Sequence, residues 1–525
     1  MDVGTPQETL NPEDVKLKDR FNGYPLNVPR WYTKIFEAIP GLVTWFFLLL
    51  PFVVGLTGYP EILVIYIAFL TVYWALRGLK FVVAITLGYM RMGREMKIDW
   101  IERMKKEQLP YKEVKYVFIC PVVKEGLEVL EPSIKAWSKQ DVGAQKLSLV
   151  FALEGKYKEE SSETIAILEE KYGKYFREVV KYYHPADIEG EVAGVKNPNI
   201  NWAGRHFSLR VRKREERLDE YLLITCDNDL RPHPKYLSAI TYKYLTDINP
   251  LRKFYATGIH TFNNNLYRVP TLIRTFSNFL TLAVLNQWVF HKKINETWSS
   301  YVANLQTVED VGYWDPQIPN DDTAFYYNAL IRFNGDFAGE EVYIPTYNDA
   351  VENDTYVKTH KSLYKQQLRW GWGGIVFPMT FAGMYKNKNI PLSKRIKITM
   401  AMFDDRLIFR TVVYLLTLGL PILTLVSPEF QYSSASYNLP KIMSLILTSV
   451  MFFNIPIYII RLKLSPLPKE WGLFRKFLDM VETLLVTVNM LTFAFIPFVQ
   501  AQTEMMIGKT IKKNHYATEK VSIKK

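Results

Sequence analysis

Cysteine is scarce, with Cys120 and Cys226 the two in a chain of 525 residues. That excludes a disulfide framework and a thiolate zinc site, and both cysteines end apolar runs where a small buried residue is at home. Seven histidines are present, but His184, His206, His233 and His260 fall in separate segments and form no HExxH pair, which argues against a zinc hydrolase. A Walker loop is missing. So is a GxGxxG after the first strand-like run, which continues instead as PVVKEGL over 121–127. A nucleotide bound by this chain needs another grip on its phosphates, and a divalent ion bridged by carboxylates supplies one. The first 30 residues mix acids and bases without the apolar core of a signal peptide, so none is expected.

Long apolar runs are present. Residues 40–58 and 62–80 approach the roughly 20 residues a bilayer requires and read as a transmembrane hairpin turning at Tyr59-Pro60-Glu61. Residues 407–426, 440–461 and 477–500 are similar, and prolines such as Pro421, Pro456 and Pro497 are tolerated in membrane helices. Lys16, Lys18, Arg20, Arg30 and Lys34 precede the first run and no base lies in the turn after it, so the positive-inside rule puts the amino terminus and the block from 90 to 390 in the cytoplasm. The basic loop 461–476 belongs there too. Five crossings then leave the Lys-rich tail outside, against its charge, unless one late segment is re-entrant or the stretch 374–405 holds a further crossing. The net charge of +12 suits an anionic leaflet or phosphate esters, and nucleic acid is not expected as a partner. The sequons NET (295–297) and NDT (353–355) fall in the cytoplasmic block, where no glycan is expected.

The middle block alternates. Strands are expected at 115–120, 147–153, 178–184, from 221 and at 253–259, with helices near 126–138, 160–173 and 201–217, a pattern of βαβ units on a parallel sheet. The fold class is α/β, a nucleotide-binding module between transmembrane α-helical segments. At the end of the run YLLI stands TCDNDLRP (225–232), which delivers Asp227 and Asp229 beyond the carboxyl end of a buried strand, where an open sheet binds its ligand. Turn chemistry alone also accounts for this tripeptide.

Two more constellations follow. In IPNDDTAFYYNAL (318–330), Asp321 and Asp322 open a helix, where the dipole favours acids and where a carboxylate could take a proton from an attacking hydroxyl. In KQQLRWGWGG (365–374), Gln366, Arg369 and Trp370 share one helical face, offering an amide, a guanidinium fork and a flat ring to a sugar phosphate. A membrane-interface helix has the same composition.

The order DND, NDD and QQLRW, with apolar spans on both sides, resembles the membrane-embedded family 2 glycosyltransferases, which include cellulose, chitin and hyaluronan synthases. The resemblance covers about 115–375 by motif and implies a glycosyltransferase-A-like module. It implies that Asp227 and Asp229 form the DxD that binds Mg2+ or Mn2+ on a nucleotide-sugar diphosphate, and that Asp322, beside Asp321, is the base of an inverting transfer. It further implies that Gln366, Arg369 and Trp370 cap the diphosphate and position the acceptor, while Lys196 and Glu125 assist donor binding. Glu154 stands where the family carries an Asp against the nucleobase, a departure that weakens its match. No gating-loop motif follows QQLRW, which continues GWGGIVFPM.

The expected organisation is a cytoplasmic N-terminal segment over 1–38, two transmembrane helices over 39–88, a cytosolic catalytic domain over 89–373, an interfacial amphipathic segment over 374–405, about three transmembrane helices over 406–505 and a basic tail over 506–525. The stretches 266–288 and 374–385 read as amphipathic helices in the membrane interface. The partners implied are a nucleotide sugar, a UDP-sugar first, a saccharide or lipid acceptor, and the bilayer of the cell membrane, with polysaccharide synthesis the leading product. A transporter or channel with a nucleotide-binding regulatory domain is the rival from another class, with Asp479 and Glu482 as its intramembrane charges.

Overall fold

The computed structural model describes residues 20–21, 24–25 and 29–509, apart from 186–187, 189–190, 192–195, 291–295, 317, 319 and 453. Most of the expected N-terminal segment, Asn295 of the first sequon and the tail from 510 lie outside the described residues.

The middle block forms a seven-stranded sheet of β1 (Lys115–Val122), β2 (Leu147–Glu154), β3 (Glu178–His184), β4 (Tyr221–Thr225), β5 (Lys253–Thr257), β6 (Tyr301–Asn304) and β7 (Ala338–Val342), in the order β7-β5-β6-β4-β1-β2-β3. Every pairing is parallel except those of β6, which runs antiparallel to both β4 and β5. Both faces are covered, so alternate residues of one strand enter different cores. Tyr116, Phe118 and Cys120 pack with Leu130, Ile134, Trp137 and Leu237. Val117 and Ile119 pack with Ile200, Phe207, Phe325 and Tyr326. Continuous burial along β1 and β2 explains their unbroken apolar sequence.

Among the described residues, five helices are long and apolar enough to cross a membrane: Trp31–Leu56, Pro60–Glu95, Leu392–Val426, Ser434–Leu464 and Leu473–Met506. The second outlasts the expected span, and its C-terminal end seats on the sheet module, where Gly88 faces Leu285 and Arg91 reaches Glu341 at 3.2 Å. The third begins at Leu392 rather than 407, so much of the stretch expected to lie flat is the start of a long helix. Residues 374–385 also differ from expectation. The helix Val376–Lys386 buries Val376, Phe377, Met379 and Met384 against the sheet module's core, because Gly383 allows Ile331 to approach its backbone. The helix Thr271–Phe290 likewise buries Ile273, Phe276, Leu285 and Trp288.

Candidate active site

β4 ends at Thr225, and the turn that follows is fixed by Asn228, whose Nδ2 donates at 3.2 Å to the carbonyl of Pro121 near the carboxyl end of the adjacent β1. This holds Asp227 and Asp229 at the carboxyl end of the sheet. Asp229 is 5% exposed and its Oδ2 accepts the Asp349 backbone N–H at 3.3 Å. The helix expected near 201 starts at Lys196 instead. That earlier start carries the Lys196 ammonium to 3.3 Å from Asp227 Oδ1 and 3.9 Å from Asp321 Oδ2. Burial opposes the charge on Lys196, but Asp321, Asp227 and Asp322 outweigh it and hold the ammonium above the usual lysine range.

Asp321 and Asp322 open the helix Asp321–Arg332. They differ in environment. Asp321 is 5% exposed and burial pushes its carboxyl up to about 7, despite the nearby ammonium. Asp322 is less buried, takes the Thr323 N–H on Oδ1 at 2.7 Å and has its backbone carbonyl held by the Thr297 hydroxyl. The helix Tyr356–Gly371, capped by the Thr355 hydroxyl accepting from Lys358 N–H at 3.3 Å, carries Gln366, Arg369 and Trp370.

All these groups meet at one cavity of about 1580 Å³, lined by Asp227, Asp229, Lys196, Asp321, Asp322, Gln366, Arg369 and Trp370. Glu125 also lines it, with its Oε2 accepting the Val123 and Lys124 N–H groups at 2.7 and 3.1 Å, so it shapes the loop after β1. Glu154 does not line it. It is buried at the end of β2, its Cα paired with His184. The cavity continues between the apolar helices, past Asn286, Arg410, Thr417, Ser444 and Thr448.

Cavity residues that the sequence reading missed include His260, Asp349 and Glu352. His260 is buried, and burial drives its pKa down to about 4 although Asp227 and Asp229 oppose the shift. Its Nδ1 faces Thr346 Oγ1 at 2.7 Å and Asn348 Nδ2 at 2.8 Å. Asp349 approaches Arg231 at 3.5 Å and accepts from Asn264 Nδ2 at 2.8 Å, while Glu352 pairs with Arg268 at 2.8 Å. The acid-rich run YNDAVEND (347–354) was the available signal for the last two. His260 had none, since its role comes from pairing with 346 across a small sheet.

A divalent ion fits this donor set only with help from a substrate. Among the described residues no group of three His, Cys, Asp or Glu side chains could hold a metal alone. Two carboxylates completed by phosphate oxygens are, however, the usual arrangement for magnesium.

Solved structures similar to this chain include the mannosyltransferase PcManGT from Pyrobaculum calidifontis in complex with GDP-Man and Mn2+, at 13% identity and a TM-score of 0.38 over 75% of this chain and 99% of that one. GalNAc-T7 with UDP, GalNAc and Mn2+ matches at 8% identity and 0.30, over 56% and 58% of the two chains. TarS 1-349 of S. aureus in complex with UDP matches at 9% identity and 0.32, over 75% and 92%. No family model and no curated protein matches the chain. Likenesses at this level leave the chemistry to be argued from this chain's own side chains.

Proposed function

We propose that this protein is a membrane-integrated inverting glycosyltransferase of the family 2 type, taking a nucleotide sugar on the cytoplasmic side and extending a polysaccharide that leaves through its own helices. One observation carries the reading: the acidic pair after β4, the acids opening the helix at 321 and the Gln366, Arg369 and Trp370 face all border a cavity that runs on into the apolar helices. A transporter with a regulatory domain has no need of that convergence.

In this reading Asp227 and Asp229 hold Mg2+ or Mn2+ together with the donor diphosphate. The ion, when bound, neutralises charge that develops on the leaving diphosphate. Arg369 binds phosphate oxygens through its fork and Gln366 fixes hydroxyl orientation. Trp370 presents an apolar face to the acceptor sugar. Asp322, the more accessible of the two adjacent acids, takes the proton from the acceptor hydroxyl as that oxygen attacks the anomeric carbon. Lys196 holds Asp227 and Asp321 in place and keeps the acidic cluster from repelling itself apart.

The test is nucleoside diphosphate release from the purified protein across a panel of nucleotide sugars, with Mg2+, Mn2+ or chelator, and with products sized by gel. Metal-dependent release from one donor with a polymer as product is expected. Release that requires added lipid and yields a single glycolipid would move the acceptor to a lipid, and no release from any donor would overturn the enzyme reading.

A further inference from the structure

The fifth apolar helix differs from the other four in where its two ends lie. Depth can be read from the third helix, whose outer end is marked by Val426 packing on Gly55 near the turn between the first two helices. At about 1.5 Å of rise per residue, Tyr414 lies about 18 Å and Arg406 about 30 Å inward from Val426. The fourth helix then returns to the inner face, where Ile460 packs with Ile85, Leu285 and Tyr343.

The fifth segment starts at that inner face. Asp479 pairs with Arg461, Glu482 pairs with Arg274 of the sheet module, and Asn489 Nδ2 donates to the Leu272 carbonyl at 3.0 Å. The helix then breaks, with Thr492 at φ −109°, ψ −85° and Phe495 at φ −118°, ψ −60°. At the break the Ala494 carbonyl accepts from Arg410 Nη1 at 3.1 Å, and Phe495 stacks on Tyr414 with ring centroids 5.8 Å apart. Beyond it the chain moves inward again. Gln502 Nε2 donates to the Arg406 carbonyl at 3.3 Å, Tyr364 donates to Gln500 Oε1 at 2.7 Å, Gly371 packs on Ala501, and Gly374 faces Met505. Tyr364, Gly371 and Gly374 belong to the helix and turn that carry Gln366, Arg369 and Trp370.

We infer that residues 473–506 do not cross the membrane but form a re-entrant hairpin, entering from the side of the sheet module, turning near Thr492–Phe495 at the depth of Tyr414 and returning to the same side. A broken helix at membrane depth is tolerated where it lines a protein cavity, and Thr487, Met490, Ala494 and Phe498 line this one. The described residues therefore cross four times, and Lys509 emerges on the same side as the basic loop 461–476, which removes the conflict between an odd count of crossings and the lysines that follow. The hairpin is thus a positioning element, one limb fixed to Arg274 and the other backing the helix of Arg369 and Trp370. This inference is independent of the reaction assigned to the site.

The experiment is labelling of single added cysteines in the full chain with a membrane-impermeant maleimide, before and after permeabilising the cells. The native Cys120 and Cys226 are 0% and 1% exposed and stay silent. Leu473→Cys and Ile507→Cys probe the two ends of the segment, which are 86% and 62% exposed, while Tyr432→Cys (86%) and Ile248→Cys (102%) mark the outer turn and the sheet module. Leu473→Cys and Ile507→Cys are expected to react only after permeabilisation, together with Ile248→Cys, while Tyr432→Cys reacts before it. Reaction of Ile507→Cys before permeabilisation, with Leu473→Cys still protected, would show a crossing helix and overturn the inference. The side of each end is read from the condition in which its cysteine reacts, whether or not transfer activity has been found.

Discussion

The Lys196 ammonium stands 3.3 Å from the Asp227 carboxylate, joining the first turn of one helix to the loop after β4. It also lies 3.9 Å from Asp321, so one cation compensates acids from two distant segments.

Replacing Lys196 by Met should leave both carboxylates without that charge. Removing one member of a buried ion pair costs about 3–5 kcal/mol, and partial exposure of Asp227 places the expected loss at the lower end. A divalent ion beside Asp227 would substitute in part. The melting temperature of Lys196→Met should fall relative to the parent in chelator and recover partly in Mn2+ with a nucleoside diphosphate, whose phosphate oxygens complete the ion's donors. An equal loss in both conditions would argue against a shared electrostatic role for Lys196 and the ion.

Asp321 predicts a pH dependence. Its folded value of about 7 lies above the ordinary 3.8, so the stabilisation of its neutral form is present at low pH and is lost as the pH rises through about 7. Between pH 6 and pH 8 the parent should therefore lose about 1 kcal/mol relative to Asp321→Asn. Thermal melts of the two proteins at both pH values give the difference directly, and a difference of the opposite sign would contradict the buried-carboxyl assignment.

Asp322→Asn removes the proposed base while keeping the side chain's shape. General bases contribute about 10²–10⁴-fold, so kcat for acceptor-dependent transfer should fall by that factor with the donor KM little changed. A folded variant with full turnover would move the base elsewhere, Asp321 being the nearest carboxyl.

Gly371 has no room for a side chain. A Cβ there would meet the Ala501 Cβ at 2.8 Å and the Phe498 Cα at 3.1 Å, neither of which is a flexible tip. Gly371→Ala should cost about 1–3 kcal/mol by overpacking and, by shifting Trp370, lower transfer more than donor binding. Melting and donor titration of the variant separate the two effects.

Much of the architecture was legible in order and spacing. Continuous apolar runs marked β1, β2 and β4, and the helices between them followed from their length, because burial on two faces leaves a direct imprint on sequence. The acidic pair was legible as well, since it terminates such a run. β6 was not, because Tyr301–Asn304 is too short to show a period and pairs antiparallel within a sheet whose other pairings are parallel. The buried helix at 376–386 read as interfacial because apolar residues facing a protein core and those facing lipid have the same composition.

What the sequence determined by itself was therefore local: which segments are strands, which are apolar helices, and where the carboxylates, the amide, the guanidinium and the indole stand along the chain. Tertiary structure alone decided that Lys196 meets Asp227 and Asp321, that Asp321 rather than Asp322 is the buried acid, and that the last apolar segment turns back. Hydropathy records the preference of a segment for an apolar surrounding, and that preference is the same for a helix that crosses and a hairpin that returns. The difference lies in contacts between residues far apart in the chain, such as Gln502 with Arg406 and Ala494 with Arg410, whose geometry exists only once the helices have packed.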